Sequence, residues 1–87
     1  MSYQVKLRSP AQKKLDSVDG RGYEAIAKAI FLLAENPRPA AVKKLSDSGL
    51  WRLRIRKYRI VYAIDDRARE VIVVLIALRN KVTYKRL

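Results

Sequence analysis

Arg52, Arg54, Arg56 and Arg59 crowd into eight residues of the second half of the chain. Each guanidinium is a rigid fork of donors that fits a phosphate better than the point charge of lysine. Four of them together can hold a nucleic-acid backbone and stabilise negative charge building at phosphorus. In Trp51-Arg52-Leu53-Arg54-Ile55-Arg56 apolar and basic residues alternate, so a strand here carries three guanidiniums on one side, about 6.5–7 Å apart. A solvated sheet face is the plain alternative. Two features favour binding: like charges facing each other on a sheet destabilise it by roughly 0.2–1 kcal/mol, and all four residues are Arg. Acidic residues on alternate positions would have kept the face soluble without that repulsion.

Further along, Tyr84 follows Arg79 and Lys81 in a polar tail. A tyrosine near a terminus commonly caps the edge of a core, but an aromatic interleaved with basic residues can stack on a base whose phosphate they hold. Trp51, Tyr58 and Tyr62 fall on the apolar parity of their segments and read as core. Asp65 and Asp66 sit where a turn is expected, with no third ligand to suggest a metal site. Lys13, Lys14, Lys43 and Lys44 are solvated charge or auxiliary phosphate contacts, and the sequence does not separate the two.

Composition narrows the chemistry. The 87 residues form a single domain, 1–87, with 20 Lys+Arg against 8 Asp+Glu and a net charge of +12, so a polyanionic partner is expected. Residues 50–87 hold eleven basic and three acidic side chains, against nine and five in residues 1–49, which places the contact surface in the second part. Without cysteine or histidine there is no disulfide, thiol nucleophile, Cys-ligated zinc or imidazole base. Neither an apolar signal core nor a membrane-length apolar run is present, and the expected compartment is the cytoplasm.

The elements that must position these residues are an α+β set. Tyr3-Gln4-Val5-Lys6-Leu7-Arg8 alternates as a strand; Ser9-Pro10-Ala11-Gln12 has the grammar of a helix start with Ser9 as cap, and the helix runs to about Ser17. Tyr23, Ile26, Ala27, Ile30, Leu33 and Ala34 recur as the core side of a second helix ending near Asn36, before Pro37. Residues 36–49 read as a loop. The strand from Trp51 and the next, from Tyr58 to Ile64, form a hairpin. An even loop around Arg56-Lys57 puts Ile55 opposite Tyr58 and Arg54 opposite Arg59. The unbroken run Val71 to Leu78 suggests a strand inside the sheet, covered on both faces. The expected architecture is an N-terminal strand, two helices on one face of an antiparallel sheet, a three-strand meander and a short basic C-terminal tail.

Lys44-Leu45 with Gly49 beyond it, the Trp51–Arg56 segment, Tyr58-Arg59-Ile60-Val61-Tyr62, and Ile76-Ala77-Leu78-Arg79 with Tyr84 resemble the RelE/ParE superfamily of bacterial and archaeal toxins. The resemblance runs the full length, and its most specific piece is Tyr58 to Tyr62. It implies a RelE-like toxin of a type II toxin–antitoxin system: an endoribonuclease that cuts mRNA in the decoding site of the ribosome, with no metal or other cofactor. It also implies an acidic antitoxin as partner. By position, Arg59 matches the arginine that stabilises the phosphate in flight, Arg79 the one that protonates the leaving 5′ oxygen, and Tyr84 the tyrosine that stacks on the base. Arg52 and Arg54 match strand positions that are lysine in the best-known member, where one lysine serves as the base. Arginine as a residue type keeps its proton far above neutral pH and suits charge stabilisation instead. The expected catalytic set is Arg54, Arg59, Arg79 and Tyr84, with Arg52, Arg56, Lys57 and Lys81 as RNA contacts. Alternatives are a ParE-like inhibitor of DNA gyrase and a non-enzymatic RNA-binding module.

Overall fold

The structure, a computed structural model, describes residues 2–79 and every side chain among them except that of Asp47. Tyr84, Lys81 and the basic tail lie outside the described residues. The elements run β1 (Gln4–Leu7), α1 (Ser9–Asp16), α2 (Gly20–Glu35), β2 (Lys43–Leu45), a short 3-10 turn (Ser46–Ser48), β3 (Leu50–Ile55), β4 (Tyr58–Asp65) and β5 (Glu70–Leu78). They build one five-stranded sheet in the order β1-β5-β4-β3-β2 with both helices packed on it. Among the described residues no helix is long and apolar enough to cross a membrane.

Period-two patterning fixes the meander. Ile55 pairs with Tyr58 and Arg54 with Arg59, the register an even loop demands, so Leu53, Tyr58, Ile60 and Tyr62 turn together toward the helices. The two-residue turn lacks Gly or Asn. Arg56 instead takes the left-handed conformation itself, at φ 53°. Between β4 and β5 the pairing slips: Val61 faces Leu75 but Tyr62 faces Val73, leaving Val74 as the extra residue of a bulge. The bulge shifts which parity of the strand is buried. Val71, Val73 and Ile76 all reach the core, while Ile72, Val74 and Leu75 are half-buried. The strand is interior, as expected, but its second face is only partly covered.

Two expectations need correction. The sheet is mixed rather than antiparallel, because β1 runs parallel to β5, pairing Val5 with Val71 and Leu7 with Val73. Alternation in one short strand encodes which face is buried and nothing about the direction of its neighbour. The stretch read as a loop also holds β2, which pairs antiparallel with β3 at the sheet edge. Three residues are too few to show a period, and short edge strands are common.

Helix boundaries shift slightly. The cap of α1 is Arg8, with extended backbone and no side-chain bond, so Ser9 is already helical; Ala11, Leu15 and Val18 are buried as the pattern requires. The second helix begins at Gly20, three residues before its first apolar residue, and buries Ile26, Ala29, Ile30 and Leu33. Tyr23, expected on the core side, is 42 % exposed. Asn36 leaves the helix in extended conformation before Pro37. The core joins these residues to Leu53, Tyr58, Ile60, Tyr62, Val71, Val73 and Ile76. Each fully buried aliphatic side chain contributes about 1.5–3 kcal/mol.

Hydrogen bonds fasten the segment after α2. The Tyr62 hydroxyl donates to the Pro37 carbonyl at 2.7 Å, and burial pushes that phenol up to about 12. Asp66 accepts from the Tyr3 hydroxyl at 2.6 Å and from both terminal nitrogens of Arg38 at 3.2 and 2.8 Å. These two donors, Arg38 first, hold the Asp66 carboxyl at about 2, while the bond to Asp66 pushes the Tyr3 phenol upward. Arg38 also lies over the Trp51 ring, 5.3 Å from its centroid, with the Lys44 ammonium at 5.9 Å. Asp65 accepts from the Ala68 amide at 3.0 Å, the turn role expected for it.

Candidate nucleic-acid interface

Register decides which cations share a surface, because residues directly opposite on neighbouring strands point to the same face. Lys43 on β2 pairs with Arg52 on β3, and Arg52 pairs in turn with Val61 on β4. The next row on that face runs from Arg54 to Arg59 to Ala77 on β5. Four cationic residues from three strands therefore stand on the side of the sheet away from the helices. Val61 is fully buried there yet is not among the residues clustered around the helices.

Exposure grades across this face. Arg54 is exposed and Arg52 half-buried, whereas Arg59 is only 3 % exposed. Arg59 is thus not the solvated cation of the plain alternative: it sits inside the sheet, paired between Arg54 and Ala77. A guanidinium fixed in this way is poised to stabilise a developing charge without reorganising.

Arg79 stands just past the end of β5. Its backbone amide donates to the Lys57 carbonyl at 2.7 Å and its Nη1 to the Arg56 carbonyl at 3.0 Å. The residue therefore grips the β3–β4 turn from the side, and fixes the hairpin end where the row of Arg54 and Arg59 finishes. Arg56 and Lys57 occupy the turn itself and are exposed, around the tip from Arg52 and Arg54. Of the expected site, Arg52, Arg54 and Arg59 come together on one face, and Arg56, Lys57 and Arg79 form its rim at the turn. Lys81 and Tyr84 fall outside the described residues.

Lys43 was not separable from the other lysines by sequence. Its place on this face depends on β2, whose three residues carry no period in the sequence. On the opposite side, α2 leaves Phe31 and Leu32 68 % and 54 % exposed. An apolar groove of about 420 Å³ runs beside Phe31, between Val5, Leu7, Leu15, Tyr23 and Ala27.

A family model described as the ParE toxin of type II toxin–antitoxin systems, parDE, matches residues 5–82. No curated protein matches the chain in sequence. Among solved structures the chain is similar to the toxin–antitoxin complex RelBE2 from Mycobacterium tuberculosis, at 26 % identity and a TM-score of 0.80, over 91 % of this chain and 100 % of that one. It is similar also to the archaeal RelE–RelB complex from Pyrococcus horikoshii, at 25 % identity and a TM-score of 0.83, over 93 % and 99 %. The YoeB/ParE toxin from Agrobacterium tumefaciens shares the fold, at 18 % identity and a TM-score of 0.77, over 88 % and 99 %.

Proposed function

Because the chain belongs to the ParE toxin family of type II toxin–antitoxin systems, within the RelE/ParE superfamily, we propose that it is a metal-independent endoribonuclease that cuts mRNA on the translating ribosome in the cytoplasm. The observation that carries this reading is the pairing of exposed Arg54 with buried Arg59 on the cationic face, with Arg79 at its rim. RNA brings its own nucleophile. A protein need only align the 2′-hydroxyl with the adjacent phosphorus and stabilise the charge that accumulates as the new bond to phosphorus forms and the bond to the 5′ oxygen breaks.

In this mechanism Arg52 and Arg54 hold the scissile phosphate and Arg59 stabilises its extra charge from a fixed position. Arg79 acts at the leaving 5′ oxygen, where its guanidinium stabilises the charge left as that bond breaks, and Tyr84 holds the base. Lys43 joins Arg52 in gripping the strand. The ribosome-bound message completes the alignment. Primer extension on a translated message after induction tests this: cleavage by the wild type and none by Arg79→Ala are expected, and an intact message with the wild type rejects it.

The partner is an antitoxin, as in the RelBE2 and archaeal RelE–RelB complexes to which the chain is similar. A +12 toxin attracts an acidic chain, and the groove beside exposed Phe31 fits the apolar side of such a segment.

A second reading is favoured by the matching family model, which describes ParE toxins: inhibition of DNA gyrase, with no ribonuclease step. Stalled gyrase alongside undiminished translation on adding the toxin supports that reading over cleavage.

A further inference from the structure

Around the tip of the β3–β4 hairpin, on the helix side of the sheet, lies a cleft of about 310 Å³ lined by Asp19, Arg21, Gly22, Arg56, Lys57 and Tyr58. Its walls come from two separate elements, the first turn of α2 and the hairpin turn. They meet closely: a Cβ built on Gly22 would stand 3.4 Å from Cε2 of the Tyr58 ring and 2.7 Å from Cγ1 of Val18. Tyr58 is buried and forms the floor, with the Lys57 ammonium 5.8 Å from its ring centroid. Three cationic side chains line the cleft against one carboxylate, that of Asp19, and Arg21, Arg56 and Lys57 are all exposed.

The turn is built to present side chains rather than backbone. Both of its carbonyl oxygens are taken by Arg79, one by the backbone amide and one by the guanidinium. Arg56 holds a left-handed φ of 53°, a conformation that Gly or Asn adopts more readily. An arginine kept at such a position gives up some backbone stability for its charged group.

We propose that this cleft binds a phosphodiester group of the RNA strand, one that flanks the phosphate held on the cationic sheet face. The inference rests on the ribonuclease reading and extends the path of the strand around the hairpin tip, from Arg54 past the turn to Arg21. Two forked guanidiniums and an ammonium converging on a concave surface match a phosphate oxygen cluster, and the aromatic floor excludes water from one side of it. Arg56 and Lys57 thereby act as a subsite separate from Arg52, Arg54 and Arg59.

The test is binding of the full chain to a short 2′-O-methylated oligoribonucleotide, which cannot be cut, followed by fluorescence anisotropy over a range of salt concentrations. Three proteins are compared: the wild type, the triple variant Arg21→Gln, Arg56→Gly, Lys57→Gln, and the face variant Arg52→Gln, Arg54→Gln. Arg21, Arg54, Arg56 and Lys57 are exposed and Arg52 is half-buried. Should the triple variant melt early, the single variants Arg21→Gln and Lys57→Gln carry the comparison. The triple variant is expected to bind about tenfold more weakly, with a log K against log salt slope shallower by roughly 2 for the lost contacts. An unchanged affinity and slope in the triple variant, with weakening in the face variant, overturns the cleft and leaves the cationic face standing. No change in either variant removes both. Unchanged RNA binding with lost affinity for an acidic antitoxin assigns the cleft to a protein partner and equally overturns the proposal.

Discussion

Arg54 and Arg59 are direct partners across β3 and β4, yet one is exposed and the other is 3 % exposed. The same residue type at the same register therefore does two physical jobs. Arg54 can follow a ligand into place, whereas Arg59 is set in the sheet and a ligand must come to it. Substitutions should separate them. Arg54→Ala is expected to leave stability within about 0.5 kcal/mol of the wild type, as exposed surface changes do. Arg59→Ala should lower it by about 1–3 kcal/mol, because a buried polar side chain and its surroundings are lost together. Growth arrest should fail in both, and urea unfolding read beside toxicity checks the split.

The acid limit of stability is expected to depend on Asp66. Arg38 and Tyr3 hold its carboxyl at about 2, below the ordinary 3.8. A carboxyl depressed on folding adds stability that is present in full above its unfolded value and is lost as the pH falls through its folded one. Asp66→Asn should therefore melt below the wild type between pH 5 and 8. The gap should close between about pH 4 and 2. Melting curves of the two proteins across that range measure it, and a gap that persists unchanged at pH 2 would contradict the role given to this carboxylate.

Two glycines of the first turn of α2 should respond oppositely to the same change. Around Gly20 there is nothing within 4 Å of an added Cβ, so Gly20→Ala is expected to raise stability by about 0.4–1 kcal/mol through the unfolded chain. At Gly22 the added carbon would lie 2.7 Å from Val18, a short buried side chain with little room to yield. There the crowding should exceed the helix gain and lower stability by about 1 kcal/mol or more. Denaturant midpoints of the two variants decide it.

What the sequence disclosed follows from where the physics is local. Period-two alternation from Trp51 to Tyr62 carried the faces, the register and the side on which the arginines stand, because one buried face permits only one pairing. The bulge at Val74 could not be read, since a shift of parity inside a wholly apolar run leaves no trace in the pattern. The parallel partner of β1 and the three-residue β2 are set by contacts between distant segments. With β2 unread, Lys43 could not be placed beside Arg52. The burial of Arg59 also escaped, for alternation names the face of a residue and not how deeply its neighbours cover it. Arg79 was picked out by its match to a family position, but its grip on the turn carbonyls depends on tertiary geometry alone.

The ribonuclease reading is tested most directly by mapping message ends. Primer extension on a translated message should show new 5′ ends inside the coding region within minutes of inducing the wild type, and none after inducing Arg79→Ala at equal protein level. A wild-type toxin that arrests growth while the message stays uncut would contradict it and direct attention to gyrase.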